Sequence, residues 1–211
     1  MDLKQDLLKA LDELRKNEES TRKFNQTADL IINLQKFDVK KSNISLFLEV
    51  PNKIKSKKIA GFLEVKNKDV ETITPSEFKN YTDKKDIKKL AKKFDFFIAQ
   101  ANLMPKVATS FGRALGPSGK MPSPQLGILM NADEKSVKAL KEKIDNSVKV
   151  KIKEASVKLA IGKQSMKDEQ IADNVLAVYN ALMKVLPKGK DNIKNVEIKF
   201  TMTKPQKIQI R

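Results

Sequence analysis

The sequence predicts an α/β fold, and three observations carry that prediction. Amphipathic helices and short apolar strands both recur along its 211 residues, a length that admits one large domain or two small ones. Between residues 53 and 147 strand and helix alternate, the rhythm of a parallel sheet covered on both faces. The outer stretches, 1–52 and 148–211, instead share an α+β character, and each is too small to bury a good core alone. That pattern permits a single domain built from both chain ends, with the α/β stretch inserted between them.

Leu3, Leu7, Leu11 and Leu14 form one stripe at helical spacing, which predicts a helix over 2–18. TADLIINL (27–34) and NISLFLEV (43–50) have strand patterns, and in the second Ile44, Leu46, Leu48 and Val50 share one face. Pro51 stops that strand and NKIKSKK makes a basic bridge to IAGFLEV (59–65), a short apolar strand. In TPSEFKNY, Thr74 as N-cap, Pro75 at the first helical position and Glu77 predict a capping box. The basic helix DKKDIKKLAKKF leads into the strand DFFIA (95–99) and then a helix over about 102–115. A Gly/Pro loop, the strand-like QLGILM and the helix DEKSVKALKEKI follow. VKVKIKEASVKLAI alternates as two antiparallel strands do. Ser165 and Asp168 open a long helix with Ile171, Val175, Val178 and Leu182 on one face, and NVEIKFTMT and QKIQI close the chain as strands.

Composition narrows the function. No apolar run approaches the ~18 residues a membrane span needs, and the charged, amphipathic start MDLKQDLLKALDELRK is unlike a secretory signal or transit peptide. A cytoplasmic protein with no membrane partner is expected. Cysteine and histidine are both absent, which removes disulfides, thiolate nucleophiles, the usual zinc sites and histidine acid–base work. No catalytic residue, cofactor or metal is therefore expected, and the prior stands against an enzyme. The positive evidence is charge: 43 Lys and Arg against 26 Asp and Glu, a net of +17. Residues 1–52 are neutral, whereas 53–147 carry +9 and 148–211 carry +8. Such an excess suits a polyanion, because each neutralised phosphate releases condensed counterions. Only four of these residues are arginines, so bidentate base reading is a minor theme.

FGRALGPSGKMPSPQLG (111–127) concentrates four of the seven glycines and three of the eight prolines. It is no phosphate-cradling loop: the required first glycine falls on Ala114, and Met121 stands where a Ser or Thr should bind magnesium. Gly116-Pro117 is expected to stop the preceding helix. The stiffened loop then bears Arg113 and Lys120 as candidate contacts to a phosphate backbone.

That same stretch resembles the signature of the large-subunit ribosomal protein L-one family, roughly G-R-x-L-G-P-x-G-x-M-P-x-P-x-x-G. Gly112, Arg113, Leu115, Gly116, Pro117, Gly119, Met121, Pro122, Pro124 and Gly127 all fit. RKFNQTADLIINL resembles the family's K-F-x-x-[TS]-x-[ED] strand, IGKQSM its G-K-x-S-[FM] turn, and TMTKP its C-terminal T-M-G-x-P. The short loops and the KP after TM are similar to archaeal members. One departure stands out: Thr203 occupies the place of the family's usual glycine, which would allow positive φ or close backbone approach.

The resemblance implies two domains, an α+β domain from residues 1–52 and 148–211 and an inserted Rossmann-like, three-layer α/β/α domain over 53–147. It implies a non-enzymatic constituent of the large ribosomal subunit, a monomer when free, that binds large-subunit rRNA at the mobile stalk beside exit-site tRNA. Some members also bind a similar structure in their own mRNA and repress its translation. Carried over by position, the rRNA surface comprises Lys23, Phe24, Thr27, Asp29, Lys163, Ser165, Thr201, Met202 and Lys204. Threonine hydroxyls suit the 2′-hydroxyls of an A-form minor groove, and Phe24 and Met202 suit sugars or a dry floor beneath them. Lys88, Lys89, Lys92 and Lys93, as mobile point charges, are expected to raise affinity for any polyanion. The alternatives are an enzyme acting on a phosphorylated substrate through the α/β domain, and a free repressor that never joins a ribosome.

Overall fold

The computed structural model describes residues 3–17, 22–39, 44–81, 83–131 and 133–208; predicted element ends at 2, 18, 43, 209 and 210 lie outside them. The first run of elements is α1 (Leu3–Lys16), β1 (Thr27–Leu34) and β2 (Ser45–Glu49). The middle run is β3 (Ile59–Phe62), β4 (Glu71–Ile73), α2 (Lys84–Lys93), β5 (Phe96–Gln100), α3 (Met104–Ser118), β6 (Ile128–Leu129) and α4 (Glu134–Asp145). The last is β7 (Ser147–Lys151), β8 (Ser156–Lys163), α5 (Asp168–Val185), β9 (Ile193–Phe200) and β10 (Gln206–Ile208). The fold is mixed α/β, and the chain divides into two compact units, Met1–Ile54 with Asn146–Arg211, and Lys55–Asp145.

In the unit made of both chain ends, an antiparallel sheet has the order β10-β9-β1-β8. Strand β1 shows why alternation matters: Ala28, Leu30, Ile32 and Leu34 are buried, while Thr27, Asp29, Ile31 and Asn33 are only partly so. The inward row joins Leu7, Leu11 and Leu14 of α1 and Ile171, Val175, Val178 and Leu182 of α5 in one core. Each such leucine, isoleucine or valine stabilises the fold by about 1.5–3 kcal/mol relative to exposure. Acidic Asp6 near the start of α1 and basic Arg15 and Lys16 near its end complement the helix dipole.

Two expectations for this unit change. The strands of VKVKIKEASVKLAI do not pair with each other: β7 pairs with β2 and β8 with β1. The connecting residues Ile152 to Ala155 contain no glycine or asparagine to make the tight turn of a hairpin. Instead Ile152 donates its N–H to the Ile44 carbonyl at 3.0 Å, and the chain parts between two sheets. The strand predicted through Thr203 ends at Phe200, and Thr201 and Met202 enter a turn.

The other unit is a parallel sheet of order β4-β3-β5-β6. Helices α2 and α3 pack on one face around Phe62, Phe97 and Phe111, and α4 covers the other through Val137 and Ile144. This is the three-layer α/β/α arrangement. Strand β4, three residues with Glu71 exposed, carries too little pattern to be expected from sequence. In TPSEFKNY the Glu77 carboxylate accepts the Thr74 N–H at 3.1 Å, but the Thr74 hydroxyl meets Ser76. Only a short 3-10 helix, Glu77–Asn80, follows.

The Gly/Pro stretch is the largest correction. Its first half is helical, since α3 continues through Gly116 and Pro117 to Ser118. Proline disfavours the helical conformation in the residue before it partly through that residue's Cβ, and Gly116 has none. The stop comes at Gly119, left-handed at φ 69°. There the Lys120 N–H reaches the Leu115 carbonyl at 3.1 Å and closes the last turn.

Candidate RNA-binding surface

Strand β1 runs antiparallel to both β8 and β9, so its start lies beside both of their ends. Thr27 stands opposite Lys163 and Ala28 opposite Phe200. Sheet register therefore brings together three segments far apart in sequence, 22–27, 163–166 and 200–203. Seven of the residues predicted for the rRNA surface fall within these segments: Lys23, Phe24, Thr27, Lys163, Ser165, Thr201 and Met202. Lys204 follows directly and is exposed.

Hydrogen bonds tie the segments into one web. Asn25 and Ser165 bond reciprocally: the amide donates to the hydroxyl at 2.9 Å, and the Ser165 N–H returns to the Asn25 Oδ1 at 3.1 Å. Beneath them Gln26 is fully buried; its carbonyl accepts the Gln164 N–H at 2.8 Å, and its Oε1 accepts the Met202 N–H at 2.9 Å. The Thr27 N–H donates to the Thr201 hydroxyl oxygen at 3.1 Å. Neither Asn25 nor Gln26 stands out in the sequence, because a short polar run before a strand looks like solvated loop. Burial alone gives Gln26 its role: a side-chain amide with no water must find protein partners.

On this frame Phe24 and Met202 are 50% and 48% exposed, so neither is a core residue. Lys23, Ser165, Thr201 and Lys204 are exposed, with Thr27 and Lys163 half-buried. The result is two apolar side chains, hydroxyls held at fixed positions, and ammonium groups around them. Those are donors and apolar contacts for sugars and phosphates.

Thr203 does its work without glycine's freedom. It is 3% exposed, and its hydroxyl oxygen accepts the Phe200 N–H at 2.9 Å while its own N–H donates to the Phe200 carbonyl at 3.1 Å. The side chain thus closes the turn that presents Thr201 and Met202. Among the described residues only Lys36 is a non-glycine with positive φ, so the turn needs none at this position.

Asp29 lies on the outer row of β1, opposite Lys199 and Ala160. Burial raises its carboxyl above the ordinary 3.8, opposed in part by the Lys199 ammonium. A raised folded value favours the protonated form, so the stabilising contribution is full below the ordinary value and is lost as pH rises through the raised one. Wild type should therefore lose stability relative to Asp29→Asn as pH rises through that window, and the difference should level off above it. Urea unfolding of both proteins across pH checks this; a difference independent of pH would contradict it.

Arg113 and Lys120 lie in the other unit. Arg113 is exposed on α3 rather than on a loop. Lys120 is turned inward: its Nζ donates to the Ala91 and Phe94 carbonyls, each at 2.7 Å. It satisfies carbonyls that the end of α2 leaves open and sets a positive charge at the negative end of the dipole. Lys120 is thus engaged in holding α2, which the loop reading did not foresee.

Comparison with known proteins identifies the family. The model of the ribosomal protein L1p/L10e family matches residues 14–204. A large ribosomal subunit protein uL1 of Nanoarchaeum equitans is 37% identical over 204 residues, spanning 92% of this chain and 96% of its own. The uL1 of Methanobrevibacter smithii is 36% identical over 210 residues, 94% and 96% of the two chains. That of Pyrococcus horikoshii is 33% identical over 192 residues, 86% and 85%. These relatives are ribosomal proteins and not enzymes, in keeping with a surface built of hydroxyls, amides and lysines. With the match running through all three segments of the surface, the chain belongs to the ribosomal protein L1p/L10e family.

Proposed function

We propose that this protein is a constituent of the large ribosomal subunit in the cytoplasm, and that it recognises a stem of large-subunit rRNA. The stem is that of the mobile stalk beside the tRNA exit site. One observation carries the reading: segments 22–27, 163–166 and 200–203 meet in a single hydrogen-bonded web under half-exposed Phe24 and Met202. Such a preformed surface costs little ordering on binding, which favours selective recognition. Residues 1–52 and 148–211 form the recognising domain, and the lysines of the inserted domain, 53–147, add sequence-independent attraction. An mRNA that folds into a similar stem competes for the same surface, so excess protein represses its own translation.

The test is binding of the full chain to a synthetic stalk-stem RNA and to a scrambled stem of equal length. The Thr201 hydroxyl accepts the Thr27 N–H and has a second lone pair for a ribose hydroxyl. Thr201→Val and Met202→Ala should each lose about 1–3 kcal/mol on the stalk stem and little on the scrambled one. Because Thr201→Val also frees an exposed N–H, its folding is checked by thermal melting in parallel. Equal losses on both RNAs, with folding intact, would remove these residues from recognition. Sedimentation with the large ribosomal subunit distinguishes a ribosomal constituent from a free repressor.

A further inference from the structure

Arg15 sits in the last turn of α1, where neither charge pattern nor resemblance marks it out. Its side chain is turned into the protein. Nε donates to Asp168 Oδ1, Nη1 to the Gln164 carbonyl and Nη2 to the Met166 carbonyl, each at 2.8 Å. The guanidinium carbon also lies 5.7 Å from the centre of the Phe200 ring, within reach of a cation–π contact. One planar group therefore touches the turn at 163–166, the first residue of α5 and the last residue of β9.

We propose, on the RNA-binding reading above, that Arg15 is the positioning residue of the surface. It holds the turn bearing Lys163 and Ser165 in register with the turn bearing Thr201 and Met202, and it acts through those turns without contacting RNA. The physical basis is the fork: a guanidinium presents five donors in one rigid plane, which lets it span two carbonyls and a carboxylate at once. A lysine at this position keeps the charge for Asp168 but cannot hold both carbonyls in the same plane. Without the fork, the two carbonyls turn to water, while the 163–166 turn keeps its bonds to Asn25 and Gln26 and its own Met166 N–H to Lys163 carbonyl bond, none of which ties it directly to the turn at 201–202.

The test compares wild type with Arg15→Lys and Arg15→Gln in the full chain, each shown to be folded by circular dichroism. In the free protein, the amide protons of Gln164, Ser165 and Met166 should exchange faster in both variants, while those of the α5 interior keep their protection. On the synthetic stalk stem, affinity should fall about 10-fold or more, with scrambled-stem affinity unchanged. For Arg15→Lys the dependence on salt should keep its slope, because no phosphate contact is lost. Adding Ser165→Ala to Arg15→Lys should cost no more than Arg15→Lys alone, as expected when one residue acts through the other. Unchanged amide exchange would overturn the proposal, and so would a salt slope lower by about one unit, the mark of a direct phosphate contact. If wild type binds both stems alike, the RNA-binding reading fails, while the exchange experiment still decides whether Arg15 holds the turn.

Discussion

Raising the salt from about 50 to about 200 mM should weaken binding to the stalk stem by ~10³-fold or more, if six or more phosphates are neutralised. The net charge of +17 motivates the size of this effect, and the structure indicates which lysines should carry it. On α2, Lys89 is paired with Asp86 at 3.1 Å, and Lys93 with Glu71 at 2.6 Å. No such ion pair occurs for Lys85, Lys88 or Lys92 among the described residues, and all three are exposed. Helix α3 beside it carries Lys106 and Arg113 and no acidic residue. Replacing Lys85, Lys88 and Lys92 with Gln should therefore weaken stalk-stem and scrambled RNA alike and flatten the salt slope. Replacing Lys89 and Lys93 should do less, since each already has a carboxylate to neutralise it. Salt titrations of both triple and double variants check this ranking. A flat salt response in wild type would defeat the electrostatic part of the reading, and equal effects of the two lysine sets would defeat the ranking.

Asn174→Ala should destabilise the protein by about 3 kcal/mol or more, the largest stability loss expected from a single polar residue here. Asn174 is fully buried on α5. Its Oδ1 accepts the Asn52 N–H at 2.9 Å, and its Nδ2 donates to the carbonyls of Asn52 and Ile161 at 3.0 and 2.9 Å. One amide therefore joins α5 to β8 and to the segment after β2. Alanine leaves three backbone groups without their partner and opens a space the size of the lost amide. Asn174→Leu fills that space but satisfies none of the three groups, so it should recover only part of the loss. Urea unfolding measures both variants. A cost below about 1 kcal/mol for alanine would mean that water replaces the amide, contrary to its burial.

The legible part of the fold was what local periodicity encodes. The leucine stripe of α1, the alternation of β1 and the apolar face of α5 each follow from contact with one core. A period of 3.6 or 2 survives in sequence wherever one face of an element is buried. Where too few residues make a pattern, the structure decided: β4 is three residues long, and β7 and β8 alternate alike yet join different sheets. The Gly116-Pro117 pair signals a helix end by composition, but a glycine before the proline lets the helix continue to Gly119.

Much the same division runs through the candidate site. Lys23, Phe24, Thr27, Ser165, Thr201 and Met202 were found through motif resemblance, which records residue types and spacing along the chain. Gln26, Asn25, Arg15 and Thr203 have ordinary types at ordinary places, and only their partners make them part of the surface. Lys120 shows the reverse, a basic residue in a signature stretch whose ammonium is spent on the carbonyls of its own fold. The sequence by itself determined the two compositions, the charge available to a polyanion and the segments that bear the family motifs. The tertiary structure decided which of those charges face outward and which side chains hold the three segments in register. The reason is distance along the chain: Thr27 and Thr201 are 174 residues apart, and Arg15 and Gln164 are 149 apart. No local pattern encodes a hydrogen bond across such a span; it exists only once antiparallel pairing has set the start of β1 beside the ends of β8 and β9.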